Sequence, residues 1–141
     1  MAAITDNGQT QHWVEEAWRR TLAKTEWTNK RIGASFPHAS PDGRYVLEEP
    51  YWWTAGFWPG MLWLLHEGGG DEAFRATAEA CEEKLDAVLD GYDRLDHDLG
   101  FMWLLTSVAN YKLNGSEVSR RRAFKAANYL AGRFNLQGRY I

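Results

Sequence analysis

Two short stretches hold the residue types that could do chemistry. The first is Tyr51-Trp52-Trp53-Thr54-Ala55-Gly56-Phe57-Trp58-Pro59-Gly60-Met61-Leu62, which packs three of the chain's eight Trp among glycines and a proline. Trp63 follows at once. Flat apolar faces in a loop suit a sugar ring, whose C–H bonds lie against a π-face while polar groups bind its hydroxyls. The same residues would equally form a bulky buried junction in a helical core. The second stretch, Leu95-Asp96-His97-Asp98-Leu99-Gly100-Phe101-Met102, sets an imidazole between two carboxylates just before an apolar run. Asp98 there has two readings. As an N-cap it would simply close a helix. The positive helix end would also hold it ionised, which suits a hydrogen-bond acceptor or charge stabiliser better than a proton donor. His97 could orient a hydroxyl, share a proton with a neighbouring carboxylate, or be merely solvated. The Asp-His-Asp spacing matches no defined metal site, and neither a metal nor an organic cofactor is expected.

Composition narrows the setting of these residues. The chain has 141 residues, enough for one domain with a real core, and is 45% hydrophobic and 25% charged, as in a folded globular protein. Its net charge is −3, and its one basic cluster, Arg120-Arg121-Arg122, lies in a helical pattern and reads as a solvated face rather than a nucleic-acid patch. The single Cys81 excludes an internal disulfide and a multi-thiolate metal site, and its place on an apolar stripe reads as a core thiol. Met1 to Gly8 lack the order of a signal peptide, and no apolar run approaches the roughly 20 residues of a membrane span. The expectation is a cytoplasmic protein without nucleic-acid or membrane partners.

Helical periodicity must position the two stretches, because strand signals are weak. About five helices are expected: Gln9 to Ile32, Phe57 to His66, one from an N-cap at Asp71, Leu99 to Leu113, and one after Ser116. The first carries Trp13, Val14, Ala17, Trp18 and Leu22 on one half of its surface. The third has a narrow stripe of Phe74, Ala78, Cys81, Leu85, Val88 and Leu89. The fifth is expected to bury Ala123, Ala126, Ala127, Leu130 and Phe134. The second and fourth are apolar on most sides. A helix apolar all round must be enclosed, whereas a one-stripe helix can face water. Their alternation, with short links at Gly68-Gly69-Gly70 and Asn114-Gly115, predicts inner helices each followed by an outer one, as in a solenoid or closed α/α toroid. The loops from Gly33 to Ala55 and Gly91 to Asp98 both lead into inner helices and should share one end of the stack. Binding residues concentrate on such loops. Glu48 and Glu49 precede the Trp stretch and read as an exposed pair, though they could line the same mouth; no partner for His12, His38 or His66 can be named from sequence.

The order of Phe36-Pro37-His38, Tyr45-Val46-Leu47, Trp53-Thr54-Ala55-Gly56-Phe57-Trp58 and His97-Asp98-Leu99-Gly100-Phe101 resembles the amino-terminal part of the unsaturated glucuronyl hydrolases, glycoside hydrolase family 88. The resemblance covers the chain from the first helix to Tyr140-Ile141. It implies an all-α fold, part of an (α/α)6 barrel of six inner and six outer helices. It implies action on lyase-generated oligosaccharides, by hydrating the C4–C5 double bond of the unsaturated uronic acid so that an unstable hemiketal opens and releases the rest of the chain. It also implies that Asp98 matches the first of two central Asp residues, that Trp53 matches a Trp contacting the unsaturated sugar, and that His97 matches the His beside that Asp.

The second Asp of the family, the general acid/base, has no counterpart before Ile141, nor have the later residues that hold the substrate carboxylate. Residues 1–141 are therefore expected to be the amino-terminal part of a single, incomplete barrel domain, inactive alone and completed by a missing carboxy-terminal part. The stretch here is Asp-His-Asp where some relatives have Asp-His-His-Asp. Competing readings are a stand-alone helical carbohydrate-binding module, which keeps the aromatic platform without the acid, and another helical-barrel hydrolase such as an unsaturated rhamnogalacturonyl hydrolase.

Overall fold

A computed structural model describes residues 7–69, 71–91 and 94–141, with the backbone alone for residues 7–11. Among them five helices carry the fold: α1 (Asn7–Ile32), α2 (Phe57–Gly69), α3 (Glu72–Gly91), α4 and α5 (Glu117–Arg133). Helix α4 runs without a break through Leu99–Trp103, a π-helical turn at Leu104–Val108, and Ala109–Asn114. The helix ends are where side-chain chemistry places them. The Asp71 carboxylate accepts the Ala73 N–H at 2.7 Å before α3, and the Ser116 hydroxyl accepts the Ser119 N–H before α5. Between α4 and α5, Gly115 takes φ +67°, a left-handed closure that glycine adopts without strain. Of the glycine link after α2, Gly68 and Gly69 are helical, and Gly70 lies outside the described residues.

Helices α2 and α4 pack on each other and are backed by α3 and α5, with α1 against α3. This is the expected pair of layers. The α3 stripe is buried in full, and it meets Leu62, Trp63 and Leu65 of α2 and Leu99, Met102 and Trp103 of α4 in one core. Cys81 lies in this core, where burial pushes its thiol up to about 12 and leaves it inert as a nucleophile. No helix of the described residues is long and apolar enough to cross a membrane.

Several expectations are corrected. The loop before α2 contains an antiparallel hairpin, β1 (Phe36–Ala39) with β2 (Val46–Glu48), joined through a 3-10 turn at Pro41–Gly43 and broken by a bulge. Strands of four and three residues, one containing Pro37, carry too little alternation to be read as strands. In α1, Trp13, Val14 and Ala17 stay exposed, while Trp18 and Leu22 lie against Gly68 and Gly69 at the end of α2. Of the five residues expected to be buried at α5, only Ala126 is; Ala123 and Leu130 are half-buried, and Ala127 and Phe134 are exposed. Arg122 is not solvated. Its guanidinium grips both Asp86 carboxylate oxygens at 2.6 and 2.5 Å, so that this part of the arginine run ties α5 to α3.

The largest surprise is Glu82, a fully buried carboxylate on the apolar side of α3. One of its oxygens accepts the hydroxyls of Ser107 at 3.0 Å and Ser119 at 2.8 Å, with Arg122 3.5 Å away. Ser119 in turn accepts from Asn110 and Ser116. The network joins α3, the π turn of α4 and the first turn of α5, so polar bonds rather than apolar contacts fix these three helices at their junction. The other Glu82 oxygen has no partner among the described residues. Burial pushes the Glu82 carboxyl above its usual range, against the pull of Ser119, Asn110, Ser107 and Arg122. The folded protein therefore keeps a proton there that the unfolded chain has lost, and stability falls as pH rises from the ordinary value of about 4.3 towards the raised one. Glu82→Gln removes this titration. Denaturation midpoints measured from about pH 4 to pH 8 should decline less steeply in the variant than in the wild type, and equal slopes would overturn the assignment.

Enclosure of α2 and α4 is one-sided. Phe57, Met61 and Leu64 form an exposed stripe along α2, with Leu64 65% exposed, and Phe101 and Leu104 do the same on α4, with Leu104 58% exposed. Apolar surface left in water forgoes about 25 cal/mol for each Å². The 141-residue chain alone is expected to self-associate or bind a hydrophobic dye, and Leu64→Ser combined with Leu104→Ser to reduce both. A monodisperse wild-type monomer with a sharp thermal transition, by light scattering and calorimetry, would contradict this.

Candidate functional site

The aromatic stretch divides into a buried half and an exposed half. Ala55, Gly56, Trp58 and Trp63 are buried in the core junction, and the Trp58 indole donates to the Gly33 carbonyl at 3.0 Å. Tyr51, Trp52 and Trp53 remain 38–41% exposed. The buried half is the bulky core junction, and the exposed half leaves aromatic faces open at the surface.

Each of the three exposed aromatics reaches a different element. The Arg94 guanidinium lies 4.2 Å over the Tyr51 ring, which couples the first loop to the second. Trp52 donates its indole N–H to His38 Nδ1 of β1 at 3.1 Å. Trp53 stands edge-on to Phe57 of α2 at 5.8 Å and to Phe101 of α4 at 6.5 Å between ring centroids. The two loop segments thus share one end of the helix stack. A close backbone approach makes this possible: a Cβ on Gly56 would stand 2.7 Å from Met102 Cα and 2.9 Å from its carbonyl oxygen. Only glycine lets the first turn of α4 lie so tightly against the 3-10 turn Trp53–Gly56.

Asp98 occupies the expected helix start but does not cap it. Its φ, ψ of −76°, −5° are already helical, and its side chain makes no capping bond. Asp96 organises the turn instead, accepting the Asp98 N–H at 2.8 Å in an Asx turn. With no capping bond, the Asp98 carboxylate is available for another partner. It is only 22% exposed, and His97 Nε2 stands 3.6 Å from Oδ1, while the His97 side chain itself is 71% exposed. Phe101, one turn after Asp98, is the ring that meets Trp53. Trp53 thus meets the helix whose start carries His97 and Asp98. Phe57, Phe101, His38 and Arg94 also stand at this mouth, and none was given a site role from sequence. Phe57 and Phe101 begin apolar helical runs that carry no signal of a site role, and nothing local pairs His38 with Trp52 across 14 residues.

The remaining expected residues fall outside this arrangement. Glu48 is half-buried in β2, and Glu49 lines a small cavity with Tyr51 and Arg94. His12 is exposed. His66 Nδ1 lies 3.0 Å from the Asp71 carbonyl oxygen, a structural bond at the α2–α3 link. Among the described residues, no three His, Cys, Asp or Glu side chains group so as to hold a metal ion.

No family model matches the chain. Individual relatives do. The unsaturated glucuronyl hydrolase of Bacillus sp. (strain GL1) is 40% identical over 123 residues, 85% of this chain and 32% of that protein. The unsaturated chondroitin disaccharide hydrolase of Streptococcus pyogenes serotype M1 is 38% identical over 104 residues, 73% of this chain and 26% of that protein. Among solved structures, a variant of the unsaturated glucuronyl hydrolase of Streptococcus agalactiae, complexed with dGlcA-GalNAc6S, matches with a TM-score of 0.79 and 31% identity, over 86% of this chain and 33% of that one. In sequence and in fold, the chain matches the unsaturated glucuronyl hydrolases. It spans about a third of the length of these relatives, and its five helices correspond to part of the hydrolases' helical barrel.

The contact at Gly56 can be tested directly. Gly56→Ala should push α4 away from the Trp53 turn and cost about 1–3 kcal/mol, the usual price of overpacking. Denaturant titration reads the stability, and Trp fluorescence reads the separation of Trp53 from its neighbours. An unchanged midpoint and spectrum would show that the approach is not tight.

Proposed function

We propose that these residues carry the sugar platform and one of two carboxylates of an unsaturated glucuronyl hydrolase of glycoside hydrolase family 88. Residues 1–141 would then be the amino-terminal part of a single barrel domain, and the substrate a lyase-generated oligosaccharide ending in an unsaturated uronic acid. The observation that supports this most is the junction of the two segments that resemble the family. Trp53 meets Phe101, and the same helix start carries His97 and Asp98.

In the unsaturated uronate the ring oxygen is attached to C5 of the C4–C5 double bond, a vinyl ether. A proton adds at C4 and water adds at C5, and the hemiketal so formed opens and frees the attached sugar. The proton must come from a group that is neutral beforehand. That group is the second carboxyl, beyond Ile141. Trp53, exposed and braced edge-on by two rings, stacks against the unsaturated sugar. Asp98 accepts hydroxyl hydrogen bonds, orients the substrate and supports its acidic partner, while His97 shares a proton or a hydroxyl with it. No step calls for a metal or an organic cofactor. A cytoplasmic setting accords with a chain whose one thiol, Cys81, is buried and unpaired.

Turnover of an unsaturated disaccharide can be followed by loss of the absorbance of its conjugated double bond. In the protein expressed from the complete coding frame, Asp98→Asn should lower kcat by about a hundredfold or more, the scale on which misorientation slows a reaction. Wild-type turnover in the variant would exclude Asp98 from the reaction. Saturable sugar binding without turnover by the unaltered protein would instead favour a carbohydrate-binding module, which needs the platform and no acid.

A further inference from the structure

The basic residues of α1 fall into two kinds. Arg19, Arg20 and Lys30 each hold a glutamate one turn back, Glu16 or Glu26, at 2.6–2.8 Å. Lys24 and Arg31 have no acidic residue three or four positions away. Both lie instead over the ring of Trp27, the Lys24 ammonium 4.4 Å and the Arg31 guanidinium 4.5 Å from its centroid. A π-face positions a cation but leaves its charge unneutralised and most of its N–H donors unused.

A third cation arrives from the hairpin. Asp42 and Gly43 take φ of +53° and +71°, and the Arg44 N–H closes the 3-10 turn on the Pro41 carbonyl at 3.1 Å. This turn sets Ser40, Arg44 and Tyr45 across from Lys24, Trp27 and Arg31 around a cavity of about 290 Å³. Among the described residues no carboxylate lines it, and none pairs with Lys24, Arg31 or Arg44. The chain has 19 acidic residues against 16 basic ones, so acids are plentiful and none is spent here. Three like charges around one concave wall repel one another and raise a local positive potential, which a bound anion relieves.

The donors specify that anion. Guanidinium forks match the oxygens of carboxylate and phosphate groups, Lys24 adds a point charge, and Ser40 adds a hydroxyl. Three cationic arms and a hydroxyl suit the three free oxygens of a sulfate or phosphate ester better than the two of a carboxylate. The volume lies just under the roughly 300–1,000 Å³ of pockets for drug-sized ligands, room for the group and one small ring. Tyr45 offers that ring an apolar face. A nucleic-acid strand asks for a basic stripe, and the chain's net charge is −3.

We infer that this cavity binds the sulfate or phosphate ester group of a sugar-sized anion. Trp53, His97 and Asp98 are absent from its walls, so the inference goes beyond the hydrolase reading and does not depend on it.

The test is calorimetric titration, at fixed ionic strength, of the protein expressed from its complete coding frame. The probes are inorganic sulfate, inorganic phosphate, glucose 6-sulfate and glucose 6-phosphate, with glucose as the neutral control. At least one ester should bind saturably at one site and more tightly than its inorganic ion, and the tighter of the two esters identifies the source. Arg31→Ala and Arg44→Ala should each weaken that binding about tenfold or more, the scale of a lost charge-assisted bond. Lys30→Ala, which removes a charge already held by Glu26, should leave it unchanged. All three side chains are exposed, and unchanged thermal midpoints would show that the variants fold. No saturable binding of any anion up to about 10 mM, weaker than a millimolar site, overturns the inference. So does binding of the inorganic ions alone, or a loss in Lys30→Ala equal to that in Arg31→Ala. Turnover of an unsaturated disaccharide, measured on the same protein, reports on the hydrolase reading separately.

Discussion

The site end of this protein depends on one backbone contact. Where the first turn of α4 passes the Trp53–Gly56 turn, the space a Cβ on Gly56 would need is already taken by the Met102 backbone. That approach sets the distance from Trp53 to Phe101, and through Phe101 it sets where the helix start bearing His97 and Asp98 stands relative to the platform. A loop could present three aromatics in many arrangements. Here each of Tyr51, Trp52 and Trp53 is tied to a separate element, so fixing the turn fixes the mouth. Binding groups held in this way lose little freedom when a ligand arrives.

The far side of α4 is held by the opposite kind of force. The Glu82 network draws α3, the π turn and α5 together through a carboxylate that would be expensive to bury without its hydroxyl donors. A buried polar network is poor evidence for stability, since apolar packing of equal volume often serves as well. What it supplies is direction: hydroxyl and amide bonds admit one register between helices where apolar side chains admit several. The π turn Leu104–Val108 places Ser107 within reach of Glu82. The same helix is thus pinned at its start by a glycine contact and at its middle by a polar one.

Much of this was legible in the sequence, and the exceptions have physical reasons. The α3 stripe and the caps at Asp71 and Ser116 follow local rules, periodicity and hydroxyl or carboxylate capping, and they appear as expected. Glu82 was missed because a carboxylate inside an apolar stripe reads as an interruption; its donors lie 25 and 37 residues away. The π turn was missed because α4 is apolar on most sides, so the rotation of face that one inserted residue brings leaves no gap in the apolar pattern. Asp98 was rightly placed at a helix start, and of its two readings the capping one fails, since Asp96, two residues earlier, organises the turn through an Asx turn. The hairpin eluded periodicity altogether, although its two strands, Phe36–Ala39 and Val46–Glu48, overlap segments that resemble the family.

The exposed stripes of α2 and α4 and the candidate site are not separate features. Phe57 begins the stripe that runs on to Met61 and Leu64, and Phe101 begins the one that runs to Leu104. Both rings also brace Trp53. Whatever covers these stripes in a chain as long as the relatives must therefore pack against the rings that position the platform. Apolar cores are dense and transmit displacement, so a shift at Leu64 or Leu104 would be felt at Phe57 and Phe101. Completing the fold and completing the mouth are then one event: the exposed aromatics gain their final rigidity when the apolar faces below them leave water.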